Sequence, residues 1–343
     1  MKRLIVTDTH LGLYQDSDKW LDIVLRFFKD IVLYCHKNEI KEIIHLGDFF
    51  DNRRSLNTKT QNVAHRIAKI LGVKDIYSRI IVGNHDCYYK NKLHPTSLEL
   101  FTEYKHIDII DKPMLDDGIL LLPWGVIPES SDGHNAAYCF GHFAFNGFHM
   151  NDSYVCKTGT DPAKVKDFDL VLSGHFHTPS KQGNVVYLGA PYGQTFHDNE
   201  GSRGFYTFEE GKLEFIEYTK APTFRKINST NLEFDNSDEF LEEKIKGNVI
   251  RVVFDKDYGT LKNQELQDKV LKYEPFAYSI DFTKIKGEEE VSEEEAAVIE
   301  NREQLITEYI ASKKDMYPDN VQVPLLTGMF KKIMGEADAE KIS

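Results

Sequence analysis

The chain lacks long apolar runs, is poor in cysteine and has no excess of positive charge, and each absence narrows what it can be. No stretch approaches the roughly 18 uninterrupted apolar residues that a membrane span requires. The opening MKRLIVTDTH enters a strand-like segment with no apolar core of a signal peptide. A cytoplasmic protein with no membrane partner is therefore expected. The four cysteines, Cys35, Cys87, Cys139 and Cys156, show no CxxC spacing, which excludes a zinc knuckle and favours reduced, buried thiols over a disulfide framework. The formal net charge of −13 speaks against a broad nucleic-acid surface, because phosphate contacts come from clustered Lys and Arg. Two features soften that reading. Bound divalent cations would offset some of the carboxylates, and much of the acid is concentrated between Glu288 and Glu295.

What is present is ample core material, with 41% hydrophobic and 12% aromatic residues in 343, enough for one large domain and smaller units. Through the first 221 residues short apolar runs alternate with helical patterns or loops, which predicts a layered α/β fold. The expected strands are Arg3–Thr7, Glu42–Leu46, Arg79–Val82, Ile119–Leu122, Ala137–Phe140, Leu170–Leu172, Val185–Leu188, Phe205–Phe208 and Leu213–Tyr218. Between the first two, Lys19–Lys37 sets Trp20, Ile23, Val24, Phe27, Phe28, Ile31 and Cys35 on one helical face, with Ser17 as the expected N-cap. A second helix is expected over Thr58–Leu71, stopped by Gly72.

From 222 to 285 the pattern becomes strand, helix, strand, helix, strand: Phe224–Phe234, Asp238–Lys246, Val249–Phe254, Gln264–Tyr273 and Phe276–Phe282. This reads as a small α+β second domain. An acidic linker and two helices occupy 286–343. The first, Glu294–Lys313, carries Val298, Ile299, Leu305, Ile306, Tyr309 and Ile310. The last begins at Pro324 and carries Leu325, Leu326, Met329, Phe330, Ile333 and Met334. So apolar a helix beyond an acidic linker points to a groove on another protein, with packing back onto the main domain as the alternative.

Five apolar runs end in clusters drawn from a narrow set of residues: Asp8-Thr9-His10, Gly47-Asp48-Phe49-Phe50-Asp51, Gly83-Asn84-His85-Asp86, Gly141-His142 and Gly174-His175-Phe176-His177. Any one of them is ordinary turn chemistry. Five at strand ends predict a shared crevice, because the carboxyl ends of strands in an α/β sheet converge. Carboxylates, imidazoles and one amide suit divalent metals of intermediate hardness such as manganese, iron or zinc. Strand alternation would place Asp8 with His10, and His175 with His177, on one face. The glycines before Asp48, Asn84, His142 and His175 permit close backbone approach. Seven ligands, Asp8, His10, Asp48, Asn84, His142, His175 and His177, suit two ions sharing one carboxylate, with Asp48 as the expected bridge.

The motif set DTH, GDFFD, GNHD, GHF and GHFH resembles the calcineurin-like metallophosphoesterases, and the layout of the whole chain resembles their DNA-repair branch, the SbcD- and Mre-type nucleases and their counterparts in T-even-like bacteriophages. The resemblance implies a sandwich of two mixed β-sheets flanked by helices, with a capping domain and a C-terminal helical segment. It implies one ion, Mn²⁺ or else Mg²⁺, on Asp8, His10, Asp48 and His177, and another on Asp48, Asn84, His142 and His175. His85 would then stand beside the scissile phosphate; a histidine that only orients Asp48 is the alternative. Many members of the branch carry a second histidine where this chain has Asp51.

The superfamily also contains phosphoprotein and small-molecule phosphatases, so DNA as substrate has to come from features outside the ligands. Arg53, Arg54 and Lys59 follow the Asp48 cluster, and Lys90 and Lys92 follow His85, as candidate DNA contacts. By resemblance the capping domain embraces DNA, and the C-terminal helices grip an SbcC-like coiled-coil ABC ATPase within a heterotetramer built on a homodimer. A host-cell cytoplasmic nuclease for recombination, repair and DNA-end processing is implied, with exonuclease activity on duplex ends and endonuclease activity on single strands. A decayed, non-enzymatic scaffold is disfavoured because clustered carboxylates and histidines destabilise a fold that has no metal to hold.

Overall fold

The structure, a computed structural model, describes residues 1–90, 92–127, 136–150, 154–198, 201–234 and 237–282. Two six-stranded sheets carry residues 1–217. The first runs in the order Lys212–Glu217, Gly204–Glu209, Arg3–Val6, Glu42–His45, Tyr77–Ile81, Ile107–Ile110. Its last four strands are mutually parallel, and Gly204–Glu209 lies antiparallel to Arg3–Val6. The second runs Ser180–Gln182, Val185–Tyr187, Leu170–Gly174, Tyr138–His142, Ile119–Leu122, Met114–Asp116, with a parallel centre and antiparallel edges.

The central strands are buried on both faces, which is why RLIV and ILLL read as unbroken apolar runs. Ile5, Ile44 and Ile81 from the first sheet meet Leu121, Phe140 and Leu172 from the second, forming the layer between the sheets. The alternate residues Leu4, Ile43 and Ile80 face outward into a cluster with the helices Asp18–Lys37 and Thr58–Leu71. Outside the second sheet, Leu120, Cys139 and Val171 pack with Phe145, Phe148 and Phe176.

Every residue of the expected helical stripe from Trp20 to Cys35 is buried. Ser17 does occupy the N-cap, but its side chain makes no capping bond. Thr58–Leu71 has its own cap in Asn57, which accepts from the Lys59 amide at 2.9 Å. Gly72 is not left-handed; with φ −78° it leads into a 3₁₀ turn, and a Cβ there would lie 2.6 Å from the His106 ring.

Away from the strand-end clusters the two sheets are tied by charge. Arg3 is bound to Glu42 at 2.5 Å and to Asp117 at 2.9 Å, and Arg79 to Glu42 and to Asp116. Arg3 and Glu42 are buried, so neither could lose its partner cheaply.

Residues 224–281 form a third, wholly parallel sheet, Phe224–Asn228, Val249–Val253 and Ala277–Asp281. The first of these strands stops earlier than its sequence predicts. Ser229 and Thr230 both bind the Asp255 carboxylate, which turns the chain into the helix Ser229–Phe234. This unit docks on the main body through Trp20, whose ring lies 5.7 Å from both Phe224 and Phe276. Lys19 donates to the Phe276 carbonyl at 2.8 Å. The acidic linker and both C-terminal helices expected from the sequence lie outside the described residues. Cys35, Cys87, Cys139 and Cys156 are buried free thiols, and no described helix is long and apolar enough to cross a membrane.

Candidate metal centre

The five clusters meet where the carboxyl ends of Arg3–Val6, Glu42–His45 and Tyr77–Ile81 face those of Tyr138–His142 and Leu170–Gly174. The crevice thus belongs to two sheets. Most of the site residues lie past the last strand residue, so strand alternation is not what aims them. Asp8, His10, Asp48 and His175 instead adopt positive φ, 52°, 45°, 54° and 88°. That conformation is unfavourable for side chains with a Cβ, and its concentration in one cluster marks a site whose geometry the surrounding fold imposes.

Glycine makes the close approach possible. A Cβ on Gly83 would lie 2.2 Å from the Asp48 amide nitrogen, and one on Gly174 would lie 2.0 Å from Thr7 Oγ1 and 3.0 Å from Asp8 Oδ2. Asp86, fully buried, accepts from the amides of Gly83 at 2.9 Å, Phe50 at 3.0 Å and Phe49 at 3.3 Å, locking the Asp48 and Asn84 loops together.

Three groups of ligand atoms result, each within 4.8 Å of one another: Asp8, His10 and His177; Asp48, His142 and His175; and His10, Asp51 and His85. They are contiguous. His10 Nε2 stands 3.9 Å from Asp8 Oδ1, 3.8 Å from Asp48 Oδ2 and 3.2 Å from His177 Nε2. His142 Nε2 lies 3.2 Å from Asp48 Oδ2 and 2.9 Å from Asn84 Oδ1. Its Nδ1 donates to the Leu46 carbonyl at 2.8 Å, which leaves Nε2 turned into the cluster. All seven residues expected from the sequence are therefore gathered in one place. His85 adjoins them, its amide donating to Asp48 Oδ1 at 2.8 Å and its ring 4.8 Å from that of His10.

The electrostatics suit cations. Asp8 and Asp48 are buried, yet among the described residues neither forms an ion pair with Lys or Arg. Histidines carry the compensation. Burial disfavours charge on His10, but the Asp51 hydrogen bond and the Asp48, Asp51 and Asp8 carboxylates overcome it and raise its pKa to about 9. Burial also opposes charge on His142, and Asp48 above all lifts it to about 9. Asp48 is held well below the usual carboxylate range by His142, His85 and His10, in spite of burial. Burial and the charge on His142 push His175 down to about 3. Carboxylate and imidazole donors, aimed inward and lacking a permanent countercharge, fit divalent ions well.

Several residues of the site carry no signal in the sequence. Gln194, buried and remote in the chain, donates to the Asp8 carbonyl at 2.6 Å. Tyr192 donates to the Thr9 carbonyl at 2.6 Å, and Arg203 donates to that of His177. Trp124 packs 5.0 Å from the His175 ring and 5.9 Å from that of His142. His45, pushed down to about 3 by burial and His142, links to Thr9 Oγ1 at 2.9 Å.

Of the proposed DNA contacts, Arg53 and Arg54 line a groove of about 170 Å³ together with Tyr88 and Ser97. Neither arginine forms an ion pair among the described residues. Lys90 and Lys92 are exposed on the hairpin Cys87–Tyr89/Lys92–Thr96, beside the exposed rings of Tyr88 and Tyr89, with Lys92 Nζ 5.7 Å from the Tyr89 centroid. Lys59 is spoken for by Asp18 at 2.9 Å.

Residues 1–179 match the family described as Calcineurin-like phosphoesterase. Exonuclease subunit 1 of Enterobacteria phage T4 is 38% identical over 230 residues, 63% of this chain and 67% of that protein. Among solved structures, the nuclease MPE of Pseudomonas putida aligns at a TM-score of 0.33 and 16% identity, over 62% of this chain and 87% of that one. A dimetal phosphatase from Danio rerio aligns at a TM-score of 0.36 and 11% identity, over 60% and 91%. With the family match extending over more than half its length, the chain belongs to the calcineurin-like phosphoesterases, metal-dependent hydrolases of phosphate esters.

Proposed function

We propose that this phosphoesterase cleaves DNA, using two divalent ions, Mn²⁺ in preference to Mg²⁺, held by the seven residues of the cluster. Asp8, His10, Asp48 and His177 would hold one ion and Asp48, Asn84, His142 and His175 the other, with Asp48 common to both sets. The observation that carries the reading is the pair of contiguous Asp/His groups around buried carboxylates with no permanent cation. When bound, two such ions supply an activated water and neutralise charge on the attacking and leaving oxygens of a phosphodiester. His85 Nδ1 donates to the Asp51 carbonyl at 2.7 Å, so Nε2 is the nitrogen left to face the phosphate; it would protonate the leaving oxygen only from the imidazolium form, which burial disfavours.

DNA as the substrate is supported by the phage relative, which is named an exonuclease subunit. The Arg53–Arg54 groove beside Tyr88 adds the phosphate-binding and base-stacking chemistry that a chain of net charge −13 otherwise offers little of. The proposal extends to duplex-end exonuclease and single-strand endonuclease activity in recombination and repair, which the motif resemblance to the SbcD- and Mre-type nucleases implies. It extends also to an SbcC-like ATPase partner gripped through Leu325, Leu326, Met329, Phe330, Ile333 and Met334, and to a homodimer within that complex, both resting on the layout of the sequence.

The test is cleavage of linear duplex and circular single-stranded DNA with Mn²⁺, beside an aryl phosphate monoester. Cleavage of both DNAs, slow monoester turnover and loss of cleavage in Asp48→Ala and His85→Ala variants of native stability are expected. Strong preference for the monoester would make the protein a phosphatase, and undiminished cleavage by either variant would overturn the site.

A further inference from the structure

Asp51 lies in the midst of the centre, clustered with His10 and His85 and outside the seven ligands expected from the sequence. We propose that it is a positioning residue for His10: its carboxylate fixes the imidazole with Nδ1 protonated and Nε2 offered to an ion, setting the affinity of the Asp8/His10/His177 site. This rests on the two-metal reading above.

His10 Nδ1 is 3.2 Å from Asp51 Oδ1, while Nε2, on the other side of the ring, faces Asp8, Asp48 and His177. An ionised carboxylate only accepts hydrogen bonds, so the nitrogen facing it carries the proton and the one facing the cluster carries the lone pair. A carboxylate behind a metal-binding imidazole fixes its tautomer and ring orientation and raises its basicity, and losing it weakens metal binding roughly 10- to 100-fold. The backbone holds Asp51 in place for this. Its amide donates to the Leu11 carbonyl at 3.0 Å, and Leu11 donates to the Phe49 carbonyl at 2.7 Å, so the loops bearing His10 and Asp51 are pinned to each other next to the contact.

Asp51 serves a second histidine by a different atom. Its carbonyl accepts from His85 Nδ1 at 2.7 Å. Replacing the side chain therefore alters the partner of His10 and leaves the tautomer of His85 set by the backbone. Metal binding and the chemistry assigned to His85 can be varied separately at this position. Ligand atoms of His10, Asp51 and His85 also lie within 4.8 Å of one another, so a direct ligand role is the competing assignment.

The experiment is calorimetric titration of the metal-free full chain with Mn²⁺, comparing wild type, Asp51→Asn and Asp51→Leu, with DNA cleavage measured against Mn²⁺ concentration. Asp51→Asn keeps an acceptor but no charge and should weaken one of two sites by about tenfold; Asp51→Leu should approach 100-fold. The second site should not change, and cleavage lost at low Mn²⁺ should return towards the wild-type kcat at saturation. Unchanged affinity at both sites in Asp51→Asn overturns the proposal, as does a kcat that stays low at saturating Mn²⁺ with affinity intact, which would place Asp51 on the substrate. Three ions in the wild type and two in the variants would make it a ligand. If Asp51→Leu fails to fold, the isosteric Asp51→Asn decides. Wild type that binds two ions but leaves DNA intact would refute the DNA reading and not the role of Asp51.

Discussion

Metal loading of this protein should expel protons, in a number that depends on pH in a way the site dictates. Without metal, His10 and His142 titrate at about 9 instead of 6.5, so both are almost fully protonated at pH 7. An ion that takes their ring nitrogens must displace those protons, and about two should be released per chain at pH 7, declining towards none above pH 9. Apparent affinity should rise up to about tenfold per pH unit for each proton displaced. The same shifts stabilise the metal-free fold. A pKa raised above the unfolded value gives stability that is full below pH 6.5 and drains away as pH climbs through 9. A rise from 6.5 to about 9 corresponds to roughly 3 kcal/mol for each imidazole, with less than the sum for two that share Asp48. On the acid side His175 and His45, depressed to about 3, lose stability as pH falls below 6.5. The metal-free protein should therefore be most stable near pH 6.5. Calorimetry of Mn²⁺ binding in buffers of different ionisation enthalpy reads the proton count, and denaturant melts of chelator-treated protein read the stability. Absence of proton release at pH 7, or metal-free stability that does not fall between pH 7 and 9, would refute this charge assignment.

Other consequences follow from single contacts. Gly83→Ala would force a methyl into the Asp48 amide; metal binding and cleavage should be lost while the far-UV circular dichroism changes little. Glu42→Ala leaves the buried Arg3 with its more exposed partner Asp117, and a loss of at most about 3 to 5 kcal/mol in denaturant stability is expected with metal affinity retained. Arg53→Ala and Tyr88→Ala should each weaken single-stranded DNA binding, Tyr88→Ala by roughly 1 to 3 kcal/mol, and only the arginine change should flatten the dependence on salt. Filter binding at several salt concentrations separates the two.

Much of this was legible in the sequence because it rests on local rules. Buried parallel strands write themselves as apolar runs, and the helix face from Trp20 to Cys35 follows the 3.6-residue period. The candidate site was legible because its Asp, Asn and His residues sit at strand ends, and several are preceded by glycines whose absent Cβ is needed, as at Gly83 and Gly174. What sequence could not supply is non-local. Short edge strands such as Met114–Asp116 and Ser180–Gln182 have too few residues for a period, and the break at Asn228 is made by Asp255 from a distant turn. Gln194, Tyr192 and Arg203 reach the site from far along the chain and look like ordinary polar loop residues until the fold closes. Asp51 was visible as a departure from the nuclease pattern, but its relation to His10 depends on which ring nitrogen faces it, and that is decided only when the two loops meet in the fold.

Metal content measured together with DNA cleavage tests the two-ion nuclease most directly. Metal-free protein titrated with Mn²⁺ should take up two ions per chain, with duplex cleavage appearing only as the second binds. Asp48→Ala should retain at most one ion and cleave nothing. Saturation at a single ion with full activity, or cleavage that survives the loss of Asp48, would contradict a paired-metal centre built on that bridge.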